Sequence, residues 1–282
     1  MQLHICGVRG STPAPGAEFV RYGGHTSCVA IAHDGELPSL VLDAGTGLQR
    51  LSRAFDGTAF AGSILLSHLH WDHTHGLPFF PAGDRPEARV HLMIPAQEGG
   101  TKVLEQLFAP PHFPITPAEL RGDWTIALLE AGDHKVEGFS VTALDIPHKG
   151  GRTFGFRVSD GGASLAYLSD HSPVNLGPGP MGDGELHEAA LSLVYGVDVL
   201  LHDAQYTAAE FPARKTFGHT TMDYAVRLAE AGEVGSLLLF HHDSARTDDA
   251  LDACVASLQG RSIPVAAAAE GMVLDLRVID AP

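Results

Sequence analysis

Ser67-His68-Leu69-His70-Trp71-Asp72-His73-Thr74-His75-Gly76 is the stretch that decides how this 282-residue chain reads. It places four imidazoles and a carboxylate within eight residues, directly after the apolar run Ile64-Leu65-Leu66, which reads as a buried strand. Borderline cations such as zinc favour imidazole nitrogen and carboxylate oxygen, and a loop leaving a strand can turn several such side chains toward one point. The chain holds 17 histidines, so an isolated pair two apart would read as a surface turn. Four of them gathered around Asp72 form a metal-site pattern.

Working outward, short runs rich in Val, Ile and Leu predict strands at Leu3–Cys6, Ser27–Ala32, Leu40–Leu42, Ile64–Leu66, Val90–Ile94, Thr125–Leu129 and Phe139–Leu144. Further strands are expected at Thr153–Val158, Ser164–Leu168, Val197–Leu201, Leu237–Phe240, Ile263–Ala267 and Met272–Val278. Helical patterns cover Gly47–Phe55, Gly100–Phe108, Glu185–Tyr195, Thr221–Ala231 and Asp248–Leu258. Periodicity alone gives only a mixed α/β chain; strands followed by helices in each half would suit two mixed sheets packed together with helices outside. No linker or internal repeat divides it, so residues 1–282 are expected to form one domain.

The order His68, His70, Asp72, His73 resembles the His-x-His-x-Asp-His signature of the metallo-β-lactamase fold hydrolases. The resemblance implies a four-layer αββα sandwich in which the first two His bind one metal, and the Asp and last His a second. The motif is specific for the superfamily and uninformative about substrate, so fold and activity are separate questions. Two metals need more donors than one loop supplies, and His and Asp do recur at later strand ends. His148 lies in the turn Asp145-Ile146-Pro147-His148-Lys149-Gly150-Gly151, Asp170 follows Leu165–Ser169, and His241 and His242 follow Leu237–Phe240. By resemblance His148 completes the first set, Asp170 bridges both ions, and one of the two adjacent His completes the second. His241 is preferred to His242 because it directly follows the apolar strand. Asp43-Ala44-Gly45-Thr46-Gly47 lacks the third glycine of a dinucleotide-binding loop; by resemblance Asp43 supports a metal-binding His from beneath.

Leu201-His202-Asp203-Ala204 and Gly218-His219-Thr220-Thr221 resemble motifs of the phosphodiesterase branch of that superfamily, which includes the tRNA 3′-end processing ribonuclease Z enzymes, phosphonate-pathway cyclic phosphodiesterases and cyclic-nucleotide phosphodiesterase domains. There the His donates a proton to the departing oxygen or stabilises charge on the phosphate, and the acid orients it. Carried over, the catalytic set is Asp72, His219 and Asp203, with Asp72 also a metal ligand. An alkoxide leaves poorly unless protonated, and an imidazole titrates near neutrality, which is why a His suits the task. The segments Gly7–Pro13 and Tyr22–Ser27 are similar to the start of the same branch, with glycines that let backbone approach the metal loop. His25 stands where that subgroup has Asn, either as an innocent substitution or as a polar group at the pocket mouth. The Pro-rich aromatic segment Phe108–Pro117 is either a cover for the metals that stacks a base or a rigid surface loop.

A formal charge of −16 and the lack of an inserted basic arm disfavour an extended nucleic-acid partner. No apolar run reaches the ~18 residues of a membrane span, and the N-terminus enters strand-like sequence without a signal core, so a cytoplasmic location is expected. Cys6, Cys28 and Cys254 are read as reduced thiols outside the metal site. Oligomeric state stays open, a homodimer included. The expected cofactors are two divalent ions, with zinc favoured by the nitrogen-rich positions and manganese or iron fitting the same donors. The expected activity is metal-assisted hydrolysis of a small phosphodiester, such as a cyclic nucleotide or cyclic sugar phosphate. An RNA 3′-end endonuclease ranks second. Hydrolysis of an ester, lactone, thioester or lactam follows, and then a metal-dependent binding or oxidoreductase role, which a missing flavin-binding domain disfavours.

Overall fold

Three antiparallel pairings followed by three parallel ones, laid down twice along the chain, give the architecture seen in a computed structural model that describes residues 1–277. The first sheet runs β14 (Val273–Asp275), β1 (Gln2–Gly7), β2 (Cys28–Ala32), β3 (Leu40–Leu42), β4 (Ala61–Leu65), β5 (Arg89–Pro95) and β6 (Asp123–Leu129), antiparallel as far as β3 and parallel beyond it. The second runs β13 (Val265–Ala267), β12 (Ser236–Phe240), β11 (Val199–Asp203), β10 (Ser164–Leu168), β9 (Phe154–Ser159), β8 (Phe139–Asp145) and β7 (Gly132–Val136), with β7 to β10 antiparallel and β10 to β13 parallel.

Period-two alternation sorts the side chains between layers. Val29 and Ile31 of β2, Leu165 and Tyr167 of β10, and Leu238 and Phe240 of β12 meet between the sheets. Their neighbours Ala166, Leu168, Leu237 and Leu239 turn outward onto the helices α3 (Glu188–Val194), α5 (Met222–Ala231) and α6 (Asp248–Ser257). On the first sheet, Cys28, Ala30, Val41 and Ile64 face α1 (Gly47–Leu51) and α2 (Val103–Leu107). The result is the four-layer αββα order, each fully buried aliphatic or Phe side chain contributing ~1.5–3 kcal/mol.

Some elements differ from expectation. Strand β7 was not expected, because Asp133, His134 and Lys135 break the apolar signal; it is an edge strand that among the described residues pairs only with β8. The Gly47–Phe55 helix becomes 3₁₀ at Ser52, and the expected Gly100–Phe108 helix starts as a 3₁₀ turn before α2. The Glu185–Tyr195 helix begins only at Glu188, and the four-residue α4 (Phe211–Arg214) is too short to show periodicity. Of the strand expected at Met272–Val278, Val278 lies outside the described residues and β14 forms within the remainder. Among the described residues no helix is long and apolar enough to cross a membrane. Cys6, Cys28 and Cys254 are free thiols.

Register aligns the functional ends. Leu168 pairs with His202, and Asp203 with Phe240, so Asp170, Asp203 and His241 leave three adjacent parallel strands at about one level. Leu42 pairs with Leu65, which does the same for Asp43 and the loop opened by Ser67. Ligand clefts in such sheets form beyond the carboxyl ends of the strands, where all of these residues lie.

Candidate metal centre

The first sheet contributes the His68–His73 loop; the second contributes His148 after β8, Asp170 after β10 and His241 after β12. Two groups of donors result, each with its atoms within 4.8 Å of one another: His68, His70, His148 and Asp170 in one, and Asp72, His73, Asp170 and His241 in the other. Asp170 belongs to both and turns one oxygen to each. Its Oδ2 is 3.8 Å from His68 Nε2 and 3.6 Å from His148 Nε2, while Oδ1 is 3.0 Å from His73 Nε2 and 3.3 Å from His241 Nε2. Asp72 Oδ2 faces the second group at 3.2 Å from His73 Nε2 and 3.1 Å from His241 Nε2, and His70 Nδ1 faces His148 Nε2 at 3.2 Å.

The polar atoms fit cations. His68 Nε2, His73 Nε2 and Asp170 Oδ1 are buried without an aligned hydrogen bond, a costly state unless another ligand satisfies them. The far ring nitrogens are anchored. His148 Nδ1–H donates to Gly218 O at 2.6 Å, His73 Nδ1–H donates to Asp43 Oδ2 at 2.7 Å, and Ser67 Oγ lies 3.0 Å from His68 Nδ1. Each anchor leaves Nε2 free to offer its lone pair, the arrangement that metal-binding imidazoles require.

Titration divides the two groups. Burial holds His68 well below the usual imidazole range, lowers His70, and brings His148 to about 4, so the first group's rings are neutral at pH 7. Burial pulls His73 and His241 the same way, but the carboxylates, Asp170 foremost, outweigh it and raise both. Burial would raise Asp72 and Asp170; the surrounding imidazoles prevail and hold both well below the carboxylate range.

Asp43 lies beneath this cluster, fully buried and in the left-handed region at φ 61°. Besides His73 it accepts from Ser67 N at 2.7 Å, Ser67 Oγ at 2.8 Å and Tyr167 Oη at 2.8 Å. His241, at φ 56°, and Ser11, at φ 66°, are other members of the site in that region. Holding branched side chains there costs energy that the surrounding contacts must offset, a pattern that concentrates at functional sites. Gly10 lets the backbone pass close by, since a Cβ there would sit 2.3 Å from His241 Nδ1.

His219 and Asp203 stand beside the cluster. His219 Nδ1–H donates to Asp203 Oδ2 at 3.0 Å, and the ring lines the cleft over the donors. Asp203 also accepts from the backbone N–H of His171 and Gln205, so the orienting acid is itself fixed.

The structure therefore gathers His68, His70, Asp72, His73, His148, Asp170 and His241, with Asp203 and His219 adjoining. His242 turns away, its Nε2–H donating to Ala268 O at 2.9 Å. His25 lies off the mouth: its backbone N–H donates to Glu270 and its Nδ1 is 3.2 Å from Thr46 Oγ1. The Phe108–Pro117 segment does not reach the cleft; Phe113 packs edge-on against Phe79 and Phe108. Tyr167, Ser67 and Ser11, whose N–H donates to Asp72 Oδ2 at 2.7 Å, escaped sequence reasoning. Tyr167 carries the alternation of a core strand, and only its hydroxyl hinted at a buried polar partner. Ser11 works through its backbone, which has no sequence signature.

Residues 39–242 match the Beta-lactamase superfamily domain. A ribonuclease Z from Bradyrhizobium sp. is 26% identical over 268 residues, covering 77% of this chain and 87% of the relative. Among solved structures, the metallo-β-lactamase fold protein YhfI from Bacillus subtilis superposes with a TM-score of 0.72 at 18% identity, covering 97% of this chain and 99% of that one. A diphosphatase from the PhnP family gives a TM-score of 0.69 at 19% identity, with 97% of each chain covered. The chain belongs to the beta-lactamase superfamily.

Proposed function

We propose that this beta-lactamase superfamily member is a dinuclear metal-dependent hydrolase, and specifically a phosphodiesterase acting on a small phosphodiester such as a cyclic nucleotide. The observation that carries the reading is Asp170, with one carboxylate oxygen turned to each of two donor groups. On this reading His68, His70 and His148 hold one cation, Asp72, His73 and His241 the other, and Asp170 bridges them. Zinc suits a donor set dominated by imidazole; manganese or iron fits the same residues. Bound there, two divalent cations supply charge neutralisation at the phosphate and a water acidic enough to yield hydroxide at neutral pH.

The chain's own residues supply the rest. His219 spends Nδ1–H on Asp203 Oδ2, which fixes the ring and leaves Nε2 to carry a proton into the cleft. Asp203 stabilises the imidazolium that donates to the departing oxygen. The −16 charge favours a compact substrate over a long polyanion, because no surplus of Lys and Arg exists to track a backbone. The ribonuclease Z relative favours a second reading, an RNA 3′-end endonuclease. We read residues 1–282 as one domain, placed in the cytoplasm.

The test compares two variants on bis-p-nitrophenyl phosphate, a cyclic nucleotide, a pre-tRNA and a thioester, with metal content measured alongside. His219→Ala should retain metal and turn over about 10²–10⁴-fold more slowly, the worth of a positioned general acid. His68→Ala should lose metal. The reverse pattern overturns the residue roles, and activity confined to the thioester overturns the phosphodiesterase reading.

A further inference from the structure

Two large aromatic side chains stand in water on the wall of the cleft that opens over the donor cluster. Trp71 is 68% exposed and Phe217 is 58% exposed, and both border the same 390 Å³ cavity as Asp170 and His219. Among the described residues, the other exposed large apolar side chains, Met181 and Tyr195 included, lie outside that lining. Neither position is incidental to the chemistry. Trp71 sits between His70 and Asp72, so its indole travels with two of the donors. Phe217 precedes Gly218, whose carbonyl fixes His148, and His219 follows directly. His75 stacks beside the indole at 5.6 Å between centroids and 18° between planes.

Exposing two such rings to water at a cleft wall costs free energy that a flat apolar group would recover on binding. Among the described residues no Lys or Arg lines the cleft, so nothing there follows a second or third phosphate along a strand. We infer that Trp71 and Phe217 form a base-binding wall and that the substrate is a phosphodiester carrying one nucleobase, a mononucleotide rather than a sugar phosphate. This rests on the phosphodiesterase reading and narrows its substrate class. The cavity lies within the size range of small-ligand pockets.

The chain has two tryptophans, and Trp124 is remote from the cleft, its indole N–H donating to Gly83 O and Arg121 O. A Trp124→Phe background makes Trp71 the sole indole fluorophore. The metal-loaded protein is titrated with adenosine 3′,5′-cyclic monophosphate and with a cyclic ribose phosphate that lacks the base. Saturable quenching by the nucleotide, with affinity for the baseless compound about tenfold weaker or worse, is the expected result. Trp71→Ala and Phe217→Ala should each lower the nucleotide-to-baseless ratio of kcat/KM about tenfold, through KM, and Trp71→Phe should restore most of it. Equal affinities, or variants that slow both compounds alike, overturn the inference while leaving the phosphodiesterase reading intact. Discrimination in binding without hydrolysis of either compound keeps the base-binding wall and overturns the phosphodiesterase reading.

Discussion

Replacing Asp43 with Asn tests whether a residue outside both donor groups controls one of them. The carboxylate is fully buried and accepts from five donors, one at Oδ1 and four at Oδ2, the fourth of these being Ser169 Oγ at 3.3 Å. An amide has one acceptor oxygen and one NH₂, so in either orientation its NH₂ meets a group that now donates. The Ser67 backbone N–H cannot adapt, which forces the amide oxygen toward it and the NH₂ toward Tyr167, Ser67 Oγ and His73. Hydroxyls can rotate to accept. His73 can accept only by moving its proton to Nε2, the nitrogen that faces Asp72 and Asp170. A hydrogen bond to a charged group is worth about 1.5–3 kcal/mol, or roughly 10- to 150-fold in an equilibrium, and outer partners of metal-binding His typically control affinity by about 10- to 100-fold. Asp43→Asn should therefore bind its second cation about 10- to 100-fold more weakly, with the His68, His70 and His148 group little changed. Chelator competition titrations followed by elemental analysis measure this. Two equivalents held as tightly as in the wild type would refute the reasoning, and so would equal weakening of both.

Gly10→Ala should push His241 off its position, because the new methyl would lie 2.3 Å from Nδ1; a stability loss of about 1–3 kcal/mol and substoichiometric metal are expected, checked by thermal melts and metal analysis. Asp160 accepts from Gly162 N and Ala163 N and pairs with Arg277 at 2.9 Å; burial works against its charge, but these partners prevail and lower its pKa. A depressed carboxylate stabilises the fold above its unfolded pKa of about 3.9, and that contribution is lost as pH falls through the folded value. Asp160→Asn should accordingly melt about 2–4 °C lower than the wild type at pH 7, with the gap closing below about pH 4, followed by circular dichroism melts across that range.

The layers were legible because alternation is unambiguous where one face meets the sheet interface and the other a helix, as in Leu237–Phe240. Strand β7 was not, since an edge strand with Asp133 and Lys135 in water carries no apolar stripe. The candidate donors could be picked out because His and Asp at strand ends are conspicuous; of the adjacent pair, His241 faces Asp72 and His242 donates to Ala268 O. What supports them was harder to see. Ser11 and Gly218 act through main-chain atoms, and Tyr167 is indistinguishable from core until β10 is set opposite Asp43. The composition of Phe108–Pro117 left a base-stacking cover and a rigid surface loop both open. That segment closes on Phe79, and the rings at the cleft are Trp71, inside the first motif, and Phe217, just ahead of the second.

Both donor groups draw on both sheets: His68 and His70 meet His148 and Asp170, and Asp72 and His73 meet Asp170 and His241. On the proposed assignment, neither half of the chain can retain its ions alone. On that assignment the cations would act as rivets through the seam, so their capture would await docking of the halves, and any opening that parts the halves would release both together.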